Sequence, residues 1–194
     1  MKSRRIVLVL AMGAILIALS VAPLFAQRVF EPPLPVIAKA PEFELTDSTE
    51  AHFSSAALRG KVWVADFIFT RCGGACPVMT AELARLDKEF STSEDFALVS
   101  ISVDPEYDTP EILREFGERY GAVPGRWHFL TGDADTIAGL SVEGFKVGSL
   151  DSPMNHSQRF ILVDRRGRIR GYYSSTDAED LARLRADLRA LLKD

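Results

Sequence analysis

The pattern of hydrophobic and polar positions changes period several times along the chain, and each change marks an element. At the N-terminus Lys2, Arg4 and Arg5 precede an uncharged, mostly apolar run from Ile6 to Ala26. A run of that length can cross a hydrocarbon core about 30 Å thick, whereas the apolar region of a cleaved signal peptide is usually about 7–15 residues. Length therefore favours a retained anchor, although Ala22 and Ala26 are small and Pro23 disturbs the helix end. The basic flank puts the N-terminus on the cytoplasmic side of an inner membrane, with a single pass and the remainder on the exported, periplasm-like side. Next comes "QRVFEPPLPVIAKAP", where Pro32, Pro33, Pro35 and Pro41 predict an extended, semi-rigid tether. The chain divides into residues 1–26 as anchor or signal, 27–41 as tether and 42–194 as the folded domain.

Within that domain, "FELTDSTEAHFSSAALRGK" alternates short apolar positions with turn formers and predicts a small hairpin. "KVWVADFIFT" and "FALVSISVD" are almost continuously apolar and rich in β-branched residues, as strands buried on both faces should be. Between them "PVMTAELARLDKEF" repeats Met79, Leu83, Leu86 and Phe90 at helical spacing behind Pro77. "DTPEILREFGERYG" predicts a second helix, with Thr109 as N-cap, Pro110 at the first position, Ile112, Phe116 and Tyr120 inward, and Gly121 as the stop. "RWHFLT" is a short strand and "DADTIAGLS" a short helix capped by Asp133. "RFILVDRRGRIRGYYSS" predicts an antiparallel hairpin turning at Arg166-Gly167. A capping box of Thr176 and Glu179 then opens a helix that lines up Leu181, Leu184, Leu188 and Leu191. This order predicts an α/β fold: a central mixed β-sheet flanked by helices, with an N-terminal β-hairpin.

Composition narrows the function classes. A net charge of -4 gives no general affinity for nucleic acid or for an anionic membrane surface, so any attraction to phosphate has to be local. Two cysteines, Cys72 and Cys76, are too few for a disulfide scaffold in a chain that is 47% hydrophobic. They stand in "FTRCGGACPVMT", where a long strand meets its helix, the place where open α/β folds put ligands. A disulfide closing so short a loop would contribute only about 2 kcal/mol, a poor structural staple. A helix N-terminus stabilises a thiolate, which is both nucleophile and metal ligand, and Gly73 and Gly74 let the backbone between the sulfurs bend. A redox couple and a metal site both remain open at this point.

Among the three histidines, His52 reads as a surface residue and His128 as part of a strand. His156, in the polar loop "SPMNHSQRF", is the best placed to act as a third ligand. Two soft sulfurs and one imidazole suit copper, whereas structural zinc prefers four protein ligands. Met79 belongs to the helix's inward stripe, and Met154 reads as a loop residue more than as a thioether ligand.

The residues resemble the Sco/SenC family of membrane-tethered, thioredoxin-fold proteins that deliver copper to cytochrome c oxidase. The resemblance is carried by "LRGKVWVADFIFTRCGGACP", "SVDPEYDTPEILREF", "WHFLTG" and "HSQRFILVDRRGRIRGYY", and covers Phe43 to Asp194. It implies a thioredoxin-like fold, with Cys72, Cys76 and His156 as ligands of Cu(I) or Cu(II). It also implies an acceptor, the dinuclear copper centre of cytochrome c oxidase subunit II or another exported copper protein. Family members often carry Pro-Asp where this chain has Gly73-Gly74. In "ADFIFTRC", Asp66 is similar to the buried aspartate of thioredoxins that assists proton transfer. That supports an alternative, a thiol:disulfide oxidoreductase with Cys72 and Cys76 as the redox-active pair, Asp66 as proton carrier and a thiol reductant as partner. The plainer reading of Asp66 is a strand-edge residue bonded to nearby backbone. Glu106 and Asp108 read either as partner contacts or as a solvated loop before a capped helix.

Overall fold

The computed structural model describes residues 34–148 and 158–193, so the apolar run, most of the tether, Met154 and His156 lie outside the described residues. Among the described residues no helix is long and apolar enough to cross a membrane. The stretch from Pro35 onward forms one compact unit.

The strands are β1 (Ala38–Lys39), β2 (Glu44–Asp47), β3 (His52–Ser54), β4 (Val62–Ile68), β5 (Phe96–Ser102), β6 (Trp127–Thr131), β7 (Arg159–Val163) and β8 (Arg168–Ser174). The helices are α1 (Ala75–Glu89), α2 (Pro110–Arg119), α3 (Ala134–Gly139), which continues into a π-turn at Leu140–Gly144, and α4 (Ala178–Lys193). One sheet takes all eight strands in the order β1-β8-β7-β4-β5-β6-β2-β3. β4 runs parallel to β5, and β5 to β6, while the other pairs are antiparallel, so the sheet is mixed as expected. β1 pairs with β8, so Ala38 and Lys39, expected in the tether, belong to the sheet.

β4 and β5 are buried at every position because both faces of the sheet are covered. On one face Trp63 and Phe67 of β4 meet the ring of Phe145 edge-on. Phe145 is fully buried, and Phe43 meets it edge-on as well. Strand alternation sends Val64, Asp66 and Ile68 to the opposite face.

The helices start and stop largely where their local chemistry dictates. The Thr109 hydroxyl accepts from the Ile112 N–H and Asp133 from the Thr136 N–H. The buried stripe of α2 is Leu113, Phe116 and Gly117, with Ile112 and Tyr120 at its margins. Gly117 is required by space, since a Cβ there would stand 2.8 Å from the Phe129 ring. The last helix differs from expectation: Asp177, not Thr176, caps it, accepting from the N–H groups of Glu179 and Asp180. A carboxylate one position closer to the helix also suits the positive end of the dipole better than a hydroxyl.

Candidate metal and thiol site

β4 ends at Ile68, and four residues later Cys72 lies in the loop that turns into α1. α1 has Gly74 as N-cap with no side-chain cap, so its first N–H groups are left for another acceptor. The Cys72 sulfur lies close enough to feel them. Burial acts to raise the Cys72 pKa, but the N–H groups of Cys76, Gly74 and Ala75, together with the Cys76 thiol, outweigh it and hold the thiol below its ordinary value. Cys76 sits in the first turn of α1, fully buried. Burial pushes its thiol far up, and the neighbouring Cys72 and Asp66 push the same way against the Phe69 N–H. The two sulfurs are therefore unequal: a partly exposed one whose thiolate is favoured, and a buried one whose thiolate is disfavoured. Both are thiols in this structure.

The glycines between them are exposed, and a Cβ at either would meet nothing within 4 Å. The surface over Gly73 and Gly74, beside the partly exposed Cys72, is open.

Asp66 lies on β4, between β7 and β5 in mid-sheet rather than at an edge, and is fully buried. Among the described residues, neither of its carboxylate oxygens has a hydrogen-bond partner. Burial raises its pKa to about 7, which Ser100 opposite on β5 lowers only in part, from outside hydrogen-bond geometry. The Ser100 hydroxyl accepts from the Trp127 indole N–H at 3.0 Å. The backbone-bonded, strand-edge reading of Asp66 is thereby overturned: the strand is central, with β5 on one side and β7 on the other, and among the described residues the carboxylate has no backbone partner.

Residues that sequence reasoning did not place at the site hold the cysteine loop from beneath. Asp108 is fully buried and accepts from the Thr70 N–H at 3.0 Å, the Thr70 hydroxyl at 2.5 Å and the Ser102 hydroxyl at 2.5 Å. Alongside it, Arg71 forks onto Asp104 at 2.5 and 3.1 Å, and its guanidinium lies 4.8 Å from the centre of the Tyr107 ring. The segment "VDPEYDTP" is thus a clasp on the loop that carries Cys72. Glu106 is exposed, but Asp108 is neither solvated nor free for a partner. One sequence signal pointed here: short polar side chains, Ser102 at the end of β5 and then Asp104 and Asp108, close a mostly apolar strand.

The other candidates separate from the site. His52 is exposed and pairs with Glu44 at 3.1 Å. His128 lies 2.8 Å through Nδ1 from Asp47 and packs on Phe53. Burial acts to raise Asp47, but His128 and the Thr49 N–H outweigh it. Met79 is core. Among the described residues no three metal-ligating side chains converge, and His156, the expected third ligand, lies outside them.

The family model for SCO1/SenC matches residues 34–193. The chain belongs to the SCO1/SenC family. A SCO1 protein homolog of Bacillus subtilis is 33% identical over 141 residues, covering 70% of this chain and 73% of the relative. A solved structure of BsSco, described as having a disulfide switch and as a member of the Sco family of cytochrome c oxidase assembly proteins, superimposes with a TM-score of 0.71 at 30% identity, covering 84% of this chain and 98% of that one. ScoI of Bradyrhizobium japonicum, solved with copper bound, gives a TM-score of 0.59 at 26% identity over 78% of this chain and 100% of that one. The thioredoxin-like fold expected of a Sco protein is the fold observed.

Proposed function

We propose that this Sco protein is a membrane-tethered copper carrier of cytochrome c oxidase assembly, which takes one copper ion as cargo and passes it to the dinuclear centre of subunit II. The observation that carries the reading is the arrangement of Cys72, exposed enough to meet a partner and stabilised as a thiolate, above Cys76. Copper bound to relatives of the same family supports it. The donor set fits: Cys72 and Cys76 would supply two soft sulfurs and His156 the imidazole. An accessible first sulfur suits hand-over by ligand exchange, while the buried second sulfur gains a ligand role only by losing its proton, so loading releases protons. Localisation follows the same proposal, with residues 6–26 anchoring the chain in the inner membrane and the folded unit on the exported side.

The test is a titration of the reduced protein with Cu(I) and Cu(II), repeated for Cys72→Ser and His156→Ala. Strong binding that falls at least about tenfold with either substitution is expected. Negligible affinity, or indifference to both changes, overturns the three-ligand site.

A second reading, thiol:disulfide exchange, is favoured by one observation, the orphaned carboxylate of Asp66 beneath Cys76. The Cys72 thiolate would attack a disulfide sulfur in a client protein and release one client thiolate. Cys76, giving its proton to Asp66, would then attack Cys72, forming the Cys72–Cys76 disulfide and releasing the second client thiolate. Two electrons pass to the client, and a thiol reductant must restore the pair. Asp66→Asn should slow this exchange at least about tenfold while leaving copper affinity nearly unchanged. Equal exchange rates remove Asp66 from the step.

A further inference from the structure

The end of the sheet opposite the cysteines has a distinct charge. β4 spans roughly 20 Å from Val62 to Ile68, so what gathers around its N-terminal end is remote from Cys72. Lys39 of β1 stands in register with Arg168 of β8. The Gly60 N–H, between Arg59 and Lys61, donates to the Arg165 carbonyl at 3.0 Å, and the Ala40 N–H to the Gly167 carbonyl at 2.8 Å. One cavity of about 300 Å³ is lined by Lys39, Arg59 and Arg166 together. Arg166 also borders a second cavity, of about 280 Å³, with Arg165, Arg168 and Arg170.

The sheet topology thus brings three separate basic segments, "AK", "LRGK" and "DRRGRIR", to one pole of a chain whose net charge is -4. Among the described residues, the carboxylates at the pole do not neutralise it: exposed Glu44, which lines the first cavity, pairs with His52 and Ser54, and the others are engaged by the basic residues themselves. Asp164 is buried and taken by Arg168 and Arg170, each at 2.8 Å. Glu42 serves both Lys39 and Arg59. Asp95 is 3.5 Å from Arg165, which otherwise donates to the Leu191 and Leu192 carbonyls at the end of α4. Lys39 and Arg59 keep side-chain exposures of 76% and 74%, and Arg166 is exposed.

The incoming chain runs down to this pole along β8: β1 is antiparallel to β8, so the residues before Ala38 lie part-way along the sheet, on its cysteine side. Arg170 Nε donates to the Pro35 carbonyl at 2.9 Å and the Ile37 N–H to the Ile169 carbonyl at 2.9 Å, so the first residues of the folded unit are fastened to β8. Beyond Leu34, only Gln27 to Leu34 separate the unit from the apolar run, at most about 28 Å of extended chain.

We infer that this basic pole is a docking surface for an anionic lipid bilayer, holding the folded unit with the pole down and Cys72 directed away from the membrane. Arginine and lysine side chains near an anionic leaflet are attracted over about a Debye length. A tether this short lets the pole reach that range and holds it at high effective concentration beside the bilayer. The inference rests on the membrane-anchor reading, since without an anchor the surface would have no bilayer held nearby. Its consequence for the proposed carrier is orientation: a partner meets the sulfurs rather than the back of the sheet.

Residues 35–194 carry their own buried core, so the unit is tested without the anchor, by co-sedimentation with vesicles of phosphatidylglycerol against vesicles of phosphatidylcholine. Binding to phosphatidylglycerol alone is expected, with loss at about 0.5 M salt. Combining Lys39→Glu, Arg59→Glu and Arg166→Glu should weaken it at least about tenfold. Arg59→Gln with Arg166→Gln, which carries less risk to folding, should give a loss of a few fold, and thermal melts check that each variant is folded. Equal binding to both vesicles, or unchanged binding by folded variants, overturns the inference. Alkaline extraction of the full chain from membranes reads the anchor separately: a chain that resists extraction, while its folded unit ignores phosphatidylglycerol, sinks the docking surface and leaves the anchor standing.

Discussion

Asp66 and Asp108 are two fully buried carboxylates at the cysteine end of the same sheet, and their surroundings are opposite. Asp108 accepts three hydrogen bonds, from the Thr70 N–H and two hydroxyls. Asp66 accepts none among the described residues and has its pKa raised to about 7. A buried carboxylate is tolerated when its lone pairs are met by donors, and a buried one without donors stays neutral instead. The first arrangement makes a fixed clasp for the loop carrying Cys72. The second makes a group that takes up or gives away a proton near neutral pH, directly beneath the site.

The largest expected effect contrasts the two by charge removal. Because folding raises the Asp66 pKa, its contribution to stability is full below about pH 4 and is lost as pH climbs through about 7. Wild type should therefore lose up to about 4 kcal/mol between those limits, and Asp66→Asn should flatten that slope. Denaturant melts of the reduced protein at several pH values read this directly, and a wild-type slope that persists in Asp66→Asn refutes it. Asp108→Ala should act in the opposite direction, costing about 3 kcal/mol because Thr70 and Ser102 lose their acceptor in a buried setting. Should both substitutions shift stability the same way, the two carboxylates are not the contrast described.

A smaller effect concerns reactivity. Near pH 7, Cys72 should alkylate at least about tenfold faster than Cys76, because the α1 N–H groups favour its thiolate and burial disfavours the other. Asp66→Asn should narrow the ratio by removing a negative charge that raises Cys76. Peptide mapping after timed iodoacetamide treatment gives both numbers, and equal labelling of the two cysteines contradicts the asymmetry. The smallest effect is expected at Arg71. Its side chain is 51% exposed, so Arg71→Ala should cost less than about 1 kcal/mol despite the two-pronged contact with Asp104. A larger loss in the same melts would make Arg71, and not only Asp108, part of the clasp's support.

Much of this was legible in the chain because it depends on local periodicity. Continuous apolar runs marked β4 and β5, Thr109 and Asp133 marked helix starts, and "RFILVDRRGRIRGYY" marked the β7–β8 hairpin. Where sequence reasoning missed, two or more local choices competed. Thr176 and Asp177 both suit a cap, and the carboxylate prevails. Ala38 and Lys39 carry no strand signal of their own and become one only because β8 has an open edge beside them.

By itself, then, the sequence determined the order of elements, the position of Cys72 and Cys76 at a strand-to-helix junction, and the family to which they belong. Only the tertiary structure decided how the two sulfurs differ, that Asp66 lacks donors while Asp108 has three, and that distant basic segments meet at one pole. The physical reason is that protonation and charge depend on which groups lie within a few ångströms and how much water they keep. Those neighbours come from strands and loops tens of residues apart, such as Thr70 and Asp108, and pairing the strands is what brings them together.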